Sequence, residues 1–266
     1  MLPDVRPLRR DRPESTAFMR IREREAKAAG KPVRFVHRWL PYSRISPTLV
    51  RAVLVTEDAG FWTHDGIDYD ELRAAVSDTL SKGEALRGAS TITQQLAKNL
   101  YLSPSRNPYR KIKEIMITRR LEAELRKARI LELYLNVIEW GDGIWGAEAA
   151  AETYFGVPAS GLSAEQAALL AGAIINPRVY SPARPNARLL RRQQMILGRM
   201  GAMAVPNGDN VEITTLKEGG MEGGTPGVTV TKGMGWTIEG KLRQRDRNNP
   251  DADKGPFRLF PVPLPK

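Results

Sequence analysis

The chain contains no cysteine, which removes disulfides, thiolate zinc sites and thiol nucleophiles from consideration. Histidine is nearly as scarce. Only His37 and His64 are present, too few for a histidine-rich metal centre, because zinc is normally held by three or four protein ligands. No window approaches the roughly 18 to 20 uninterrupted apolar residues of a membrane span, and the opening MLPDVRPLRRDRPES lacks the apolar core of a signal peptide. The sequence as written is therefore expected either to be soluble or to lack an anchor that lies upstream. Charge is one-sided: 41 Lys and Arg against 30 Asp and Glu give +11 over 266 residues, with a pI near 10.0. An excess of this size points to an anionic partner, whether nucleic acid, phospholipid headgroups or a phosphorylated substrate.

Composition shifts divide the chain into three. Residues 1–40 are basic and proline-punctuated, an ordered or semi-ordered lead-in that ends in WLPYSRISP, from Trp39 to Pro47, which reads as an extended arm rather than a packed element. Residues 41–201 show apolar spacings of three and four with Ser and Thr caps, which is a helical body. Residues 202–266 are rich in Gly, Pro and Asn and read as a disordered tail. Strand-like alternation there, in VEITTL and GVTVTKGMGWTIEG, allows one hairpin.

Within the body, EDAGFWTHDG, from Glu57 to Gly66, concentrates acids, aromatics and one of the two histidines. Carried through residues 49–61, a helical wheel places Val50, Val53, Leu54, Glu57 and Phe61 on one face, with Asp58 turned about 100° away. A carboxylate in a partly apolar wall is disfavoured as an anion, so its pKa rises toward that of a general base. A solvated helix end before Gly60 accounts for the same spacing. His64 reads as a scaffold residue beside a turn.

The run RGASTITQQLAKNLYL begins at Arg87. Gly88 ends a loop, Ser90 or Thr91 can cap a helix, and Thr91 with Gln94 has capping-box spacing. Ile92, Leu96 and Leu100 form a buried stripe, while Thr91, Gln94, Gln95 and Lys98 share another face. Hydroxyls and amides suit sugars, Lys98 suits a phosphate, and the helix N-terminus adds a positive end for an anion. The alternative is a capped surface helix. Further along, RNPYRKIKE, from Arg106 to Glu114, sets several cations around one acid, and Glu114 shares a face with Ile117 or Thr118, Leu121 and Leu125. This is either a phosphate clamp, whose acid positions cations or holds a divalent ion, or a set of ordinary helix ion pairs.

The segment ILELYLNVIEWGDGIWGAEAAAETYFG joins a short helix, a glycine-broken turn and an alanine-rich helix, Ser163 with Gln166 caps the next, and the small residues that allow close packing make the whole a scaffold. Trp140, Trp145, Tyr154 and Phe155 read as core, with an aromatic sugar platform or a membrane-facing belt as the alternative. From Asn186, NARLLRRQQMILGRM is a basic amphipathic helix with a solvated basic face.

Taken in order, EDAGFWTHDG, RGASTITQQLAKNLYL, RKIKE and ILELYLNVIEWGDGIWGAEAAAETYFG resemble the successive motifs of the peptidoglycan glycosyltransferases, the lysozyme-like family shared by class A penicillin-binding proteins. The phrases AFMRIR, LPYSRISP and NVIEWGDGIWG resemble its monofunctional biosynthetic branch, and no SxxK with a partnering KTG is present for a transpeptidase. The resemblance implies a mainly α fold: a lysozyme-like globular lobe and a smaller membrane-facing jaw lobe built partly from residues 69–86, where SDTLSKGEALRG would be a mobile loop. It implies an inverting reaction in which the 4-hydroxyl of an acceptor lipid II attacks C1 of the donor and undecaprenyl pyrophosphate leaves.

By the same resemblance Glu57 is the general base and Glu114 the second carboxylate, with Mg²⁺ or another divalent ion at Glu114 as an option and no organic cofactor. Lys98, Arg106, Arg110, Lys111 and Lys113 would neutralise the leaving group. Asp58, Phe61, His64, Gly88, Ser90, Thr91, Gln94, Gln95 and Asn99 would frame the sugar and phosphate sites. The implied partners are lipid II, the growing glycan strand, an anionic membrane surface and cell-division or elongation proteins, not nucleic acid. The implied location is the periplasmic face of the bacterial inner membrane, although the family's N-terminal anchor helix is not present in this sequence. A glycan hydrolase on the same fold is the rival enzyme class, and the cation-rich motifs argue against it, since a hydrolase has no pyrophosphate to hold.

Overall fold

A computed structural model describes residues 2–82, 90–104, 107–201, 227–232 and 236–241. The chain forms two compact units, Met1–Val205 and Pro206–Lys266. The lead-in is built into the first unit and is not a separate arm. After a 3-10 turn at Arg6–Arg9 comes α1, Ala17–Ala28, whose N-cap Thr16 accepts a hydrogen bond from Met19 N. Val5, Leu8 and Met19 are buried, and Arg22 of α1 pairs with the buried Glu139 at 2.8 Å. Apolar residues spaced among the lead-in's cations supply enough surface to dock it, which its proline content obscured.

The remaining elements of this unit are β1 (Val36–His37), α2 (Pro47–Glu57), α3 (Tyr69–Lys82), α4 (Ile92–Tyr101), α5 (Pro108–Glu124) and α6 (Lys127–Val137). They continue with β2 (Glu139–Gly141), β3 (Ile144–Trp145), α7 (Ala147–Phe155), α8 (Ala164–Ala173) and α9 (Ala187–Met200). The body is mainly helical, as its periodicity predicts. Part of the segment expected as a loop is the end of α3, and residues 83–89 lie outside the described residues.

Two layers of helix packing position the site. Helix α2 starts at Ser46, whose hydroxyl accepts from Thr48 N, with Pro47 at the first helical position, where a missing N–H costs nothing. Leu49, Val50, Ala52, Val53 and Leu54 are buried, and α2 packs against α8 and α9. Helix α4 packs against α5 and α6 through Ile92, Leu96 and Leu100, the stripe its spacing predicts. Burying each such side chain stabilises by roughly 1.5–3 kcal/mol.

A small sheet of order β1-β3-β2 ties the N-terminal segment to this body. Strand β1 runs parallel to β3, with Val36 opposite Ile144, while β2 and β3 form an antiparallel pair around Asp142 and Gly143. Gly143 has φ +68°, and a Cβ there would lie 2.3 Å from Arg34 O, so the turn requires glycine. Next to the sheet, the fully buried Asn136 grips one residue from both sides: its Oδ1 accepts from Leu40 N and its Nδ2 donates to Leu40 O, each at 2.8 Å. Trp140 and Trp145 are core residues.

In the second unit, β4 (Gly227–Lys232) and β5 (Trp236–Lys241) form an antiparallel pair with Val230 opposite Ile238. This is the hairpin that alternation allows in the tail; VEITTL lies outside the described residues. Among the described residues, no helix is long and apolar enough to cross a membrane.

Candidate active site

Helix α2 ends at Glu57, because Asp58 adopts an extended backbone with φ −167° and ψ 81°. The helical wheel therefore runs too far: Phe61 reaches the core through the following turn and not along the helix face. It is fully buried, with Lys127 Nζ 4.6 Å from its ring centre, so it supports the wall and presents no surface to a ligand.

Asp58, 3% exposed, is the hinge pin of the motif. Its Oδ2 accepts from Ile92 N at 2.8 Å and its Oδ1 lies 2.9 Å from His64 Nε2. His64 Nδ1 accepts from Gly66 N at 3.1 Å, so the imidazole proton resides on Nε2 and is donated to Asp58. The positive end of α4, expected to receive an external anion, is thus taken by the chain's own carboxylate. Asp68 brings a third ligand atom within 4.8 Å of those of Asp58 and His64, a partner that sequence spacing did not disclose. The Nε2 proton nevertheless leaves that nitrogen no lone pair for a metal.

The capping box of α4 forms as predicted: Gln94 N donates to Thr91 Oγ1 at 3.2 Å, and Thr91 N to Gln94 Oε1 at 3.1 Å. Thr91 Oγ1 also donates to Gly66 O at 2.7 Å. These bonds engage the Thr91 hydroxyl and the Oε1 of Gln94, two groups expected to meet sugar, and both residues are buried. Asn99 is also buried, its Nδ2 donating to Gln95 O at 2.9 Å. Of the predicted polar face, Ser90 is exposed and Gln95 and Lys98 are partly exposed. Gly88 and Arg106 lie outside the described residues.

The chemistry gathers around Lys98. On one side is Glu57, whose Oε2 accepts from Gln95 Nε2 at 2.9 Å. Burial pushes the Glu57 pKa up; the Gln95 bond and the cations Arg192 and Lys98 oppose this, while the Asp58 charge adds to it. On the other side is Glu114, 3% exposed, with Arg110 Nη1 at 2.6 Å from one oxygen and Lys111 Nζ at 2.5 Å from the other. Its inward face, shared with Ile117, Thr118, Leu121 and Leu125, is buried as the spacing predicts. Burial lowers the Lys98 pKa, Arg110 and Lys111 lower it further, and Glu114 and Glu57 hold it up. Lys113 is exposed. Because cations occupy both Glu114 oxygens and Lys98 adds another positive charge, this donor set does not suit a divalent ion.

Two residues escaped the sequence reading. Arg192 of α9, placed there on a solvated basic face, acts electrostatically on Glu57. Tyr134 of α6, read as scaffold, donates its hydroxyl to Gln95 Oε1 at 2.9 Å. The only signal for either was a polar group interrupting an apolar helix face. A cavity of about 460 Å³ lies elsewhere, between α1 and residues 31–35, and none of these groups lines it.

A mainly helical body with one carboxylate raised by burial and a second set among cations is the arrangement of an enzyme that can take a proton beside a site suited to negative charge. Comparison with known proteins narrows this class. The family model described as Transglycosylase matches residues 26–201, and the chain belongs to that family. It is 48% identical over 199 residues to the biosynthetic peptidoglycan transglycosylase of Nitrosospira multiformis, covering 73% of this chain and 84% of the relative. The protein of the same name from Laribacter hongkongensis is 48% identical over 194 residues, covering 73% and 85%. That from Janthinobacterium sp. strain Marseille is 49% identical over 199 residues, covering 73% and 84%.

Proposed function

We propose that this protein is a peptidoglycan glycosyltransferase of the cell envelope that polymerises lipid II into glycan strands, releasing undecaprenyl pyrophosphate. The observation that carries the reading is a pair of carboxylates in different settings, Glu57 raised by burial and bonded to Gln95, and Glu114 clamped by Arg110 and Lys111, with Lys98 under the influence of both charges. In this reading Glu57 takes the proton of the acceptor 4-hydroxyl as that oxygen attacks C1 of the donor. Lys98, Arg110 and Lys111 stabilise the negative charge that accumulates on the leaving pyrophosphate. Glu114 keeps Arg110 and Lys111 aimed and lowers the cost of crowding them beside Lys98. Asp58 and His64 hold the turn that presents Glu57. No step passes through a metal.

A membrane-side position follows from the substrate's lipid tail and from helix α5. Tyr109, Ile112 and Met116 share one stripe of that helix and are 75%, 55% and 47% exposed. Exposed Lys113, Arg119 and Arg120 flank them, a pattern suited to an anionic lipid surface. The periplasmic face of the inner membrane is the compartment where such a substrate is consumed.

The test is incubation with lipid II in detergent. Lengthening glycan products are expected, and clearing of preformed peptidoglycan in their place would overturn the reading in favour of a hydrolase. Glu57→Gln is expected to abolish polymerisation while leaving donor binding nearly intact; retained turnover would remove Glu57 as the base.

A further inference from the structure

We propose that Tyr134 is a positioning residue that acts through the Gln95 side-chain amide to hold the Glu57 carboxylate for proton abstraction, an inference that rests on Glu57 being the base. Three bonds in series carry it. Tyr134 Oη donates to Gln95 Oε1 at 2.9 Å. Gln95 Nε2 donates to Glu57 Oε2 at 2.9 Å and to Ser90 O at 3.4 Å.

A primary amide has two N–H donors and one carbonyl acceptor. Here Glu57 and the Ser90 carbonyl engage both donors of Gln95, and the phenol engages its oxygen. Turning the amide over would bring Oε1 against a carboxylate and a carbonyl, three oxygens with no proton among them. The orientation is therefore fixed, with the donor that meets Glu57 committed to that carboxylate.

The phenol suits this task. Tyr134 is fully buried, and burial, with the charges of Glu57 and Asp58 nearby, pushes its pKa far up, so its hydroxyl remains a donor at any working pH. On the far side of the relay, Glu57 Oε1 makes no hydrogen bond among the described residues and is the oxygen that meets the incoming hydroxyl. The groups facing Glu57 are Gln95 and Lys98 from α4, Arg192 from α9 and Asp58 beside it in the chain. Among these, Gln95 is the sole hydrogen-bond donor to the carboxylate.

The experiment compares wild type with Tyr134→Phe, which keeps the ring in the core and removes only the hydroxyl. Loss of one such bond corresponds to about a fivefold fall in kcat, with KM unchanged. Without a firmly held donor the Glu57 carboxylate is less stabilised, so the acid limb of the rate profile moves to higher pH. The same upward move is expected in the ¹³C titration of the Glu57 carboxyl carbon in protein without substrate. Gln95→Leu, a change at a partly exposed position, is expected to reproduce that move, and adding Tyr134→Phe to it is expected to change nothing further. An unmoved Glu57 midpoint in folded Tyr134→Phe or in Gln95→Leu, or independent and additive effects of the two changes, would overturn the proposal. Because the titration needs no lipid II, a wild-type enzyme that fails to polymerise would overturn the proposed function and leave this result readable.

Discussion

Replacing Asp58 by asparagine keeps the size of the side chain and removes its charge, so its effect can be followed atom by atom. The carboxylate now accepts from two buried donors, Ile92 N–H and His64 Nε2–H. Asparagine has one acceptor oxygen. If that oxygen keeps Ile92, the new Nδ2 faces the His64 Nε2 proton, and two donors oppose each other in a buried site. His64 can relieve this only by moving its proton to Nδ1, which then meets Gly66 N–H 3.1 Å away. Each arrangement leaves one mismatched pair and weakens the bond at the α4 N-terminus from charge-assisted to neutral. Two such losses amount to about 2–4 kcal/mol. Urea unfolding of wild type and Asp58→Asn measures the difference, and ¹⁵N shifts of the imidazole report which nitrogen carries the proton. A loss well under ~1 kcal/mol, or a wild-type His64 protonated on Nδ1, would refute the argument. The substitution has a second expected outcome. Removing the Asp58 charge removes one of the influences that raise the Glu57 pKa, and a base must be deprotonated to act, so the acid limb of residual activity should extend to lower pH.

Glu114→Gln is expected to cause a severe loss of polymerisation that added Mg²⁺ does not rescue, because the acid's partners are cations; near-normal activity would make the residue structural. In that variant Lys98 loses the anion that chiefly opposes its burial, its pKa falls further, and the alkaline limb of any residual activity moves to lower pH. Gly66→Ala should destabilise by about 2–3 kcal/mol in urea unfolding, since Gly66 has φ +83° and a Cβ would lie 2.7 Å from Thr118 Cγ2 and 2.8 Å from Glu122 Cγ.

The helical body, the α4 stripe, both capping boxes and the inward face of Glu114 were legible because each depends on local periodicity, whereas Glu57 is half-buried and Asp58, which the wheel turns away from the apolar face, is the more deeply buried of the two because the helix ends between them. What sequence misread depends on partners distant in the chain. Thr91, Gln94 and Asn99 looked fully available because a wheel shows which face a polar group occupies, not whether a cap or a neighbouring carbonyl already engages part of it. Asp58 fills the end of α4 at a sequence separation of 34, a distance at which spacing carries no signal. Tyr134 sits on a helix whose neighbouring residues explain themselves by packing, and Arg192 sits among exposed cations of a solvated helix, so the polar role of each was invisible. The small sheet was signalled by Asp142-Gly143, a pair that favours hairpin turns, but its strands of two and three residues are too short to show alternation.

Asn136 gives the molecule a mechanical property. By holding both the N–H and the C=O of Leu40, it fastens the incoming chain to α6 seven residues before α2 begins. A pull arriving from the N-terminal side loads those two bonds together before any strain reaches Glu57. Helix α2 can therefore keep its alignment while the upstream chain is dragged or tilted, as a clamp on a cable protects the instrument at its end.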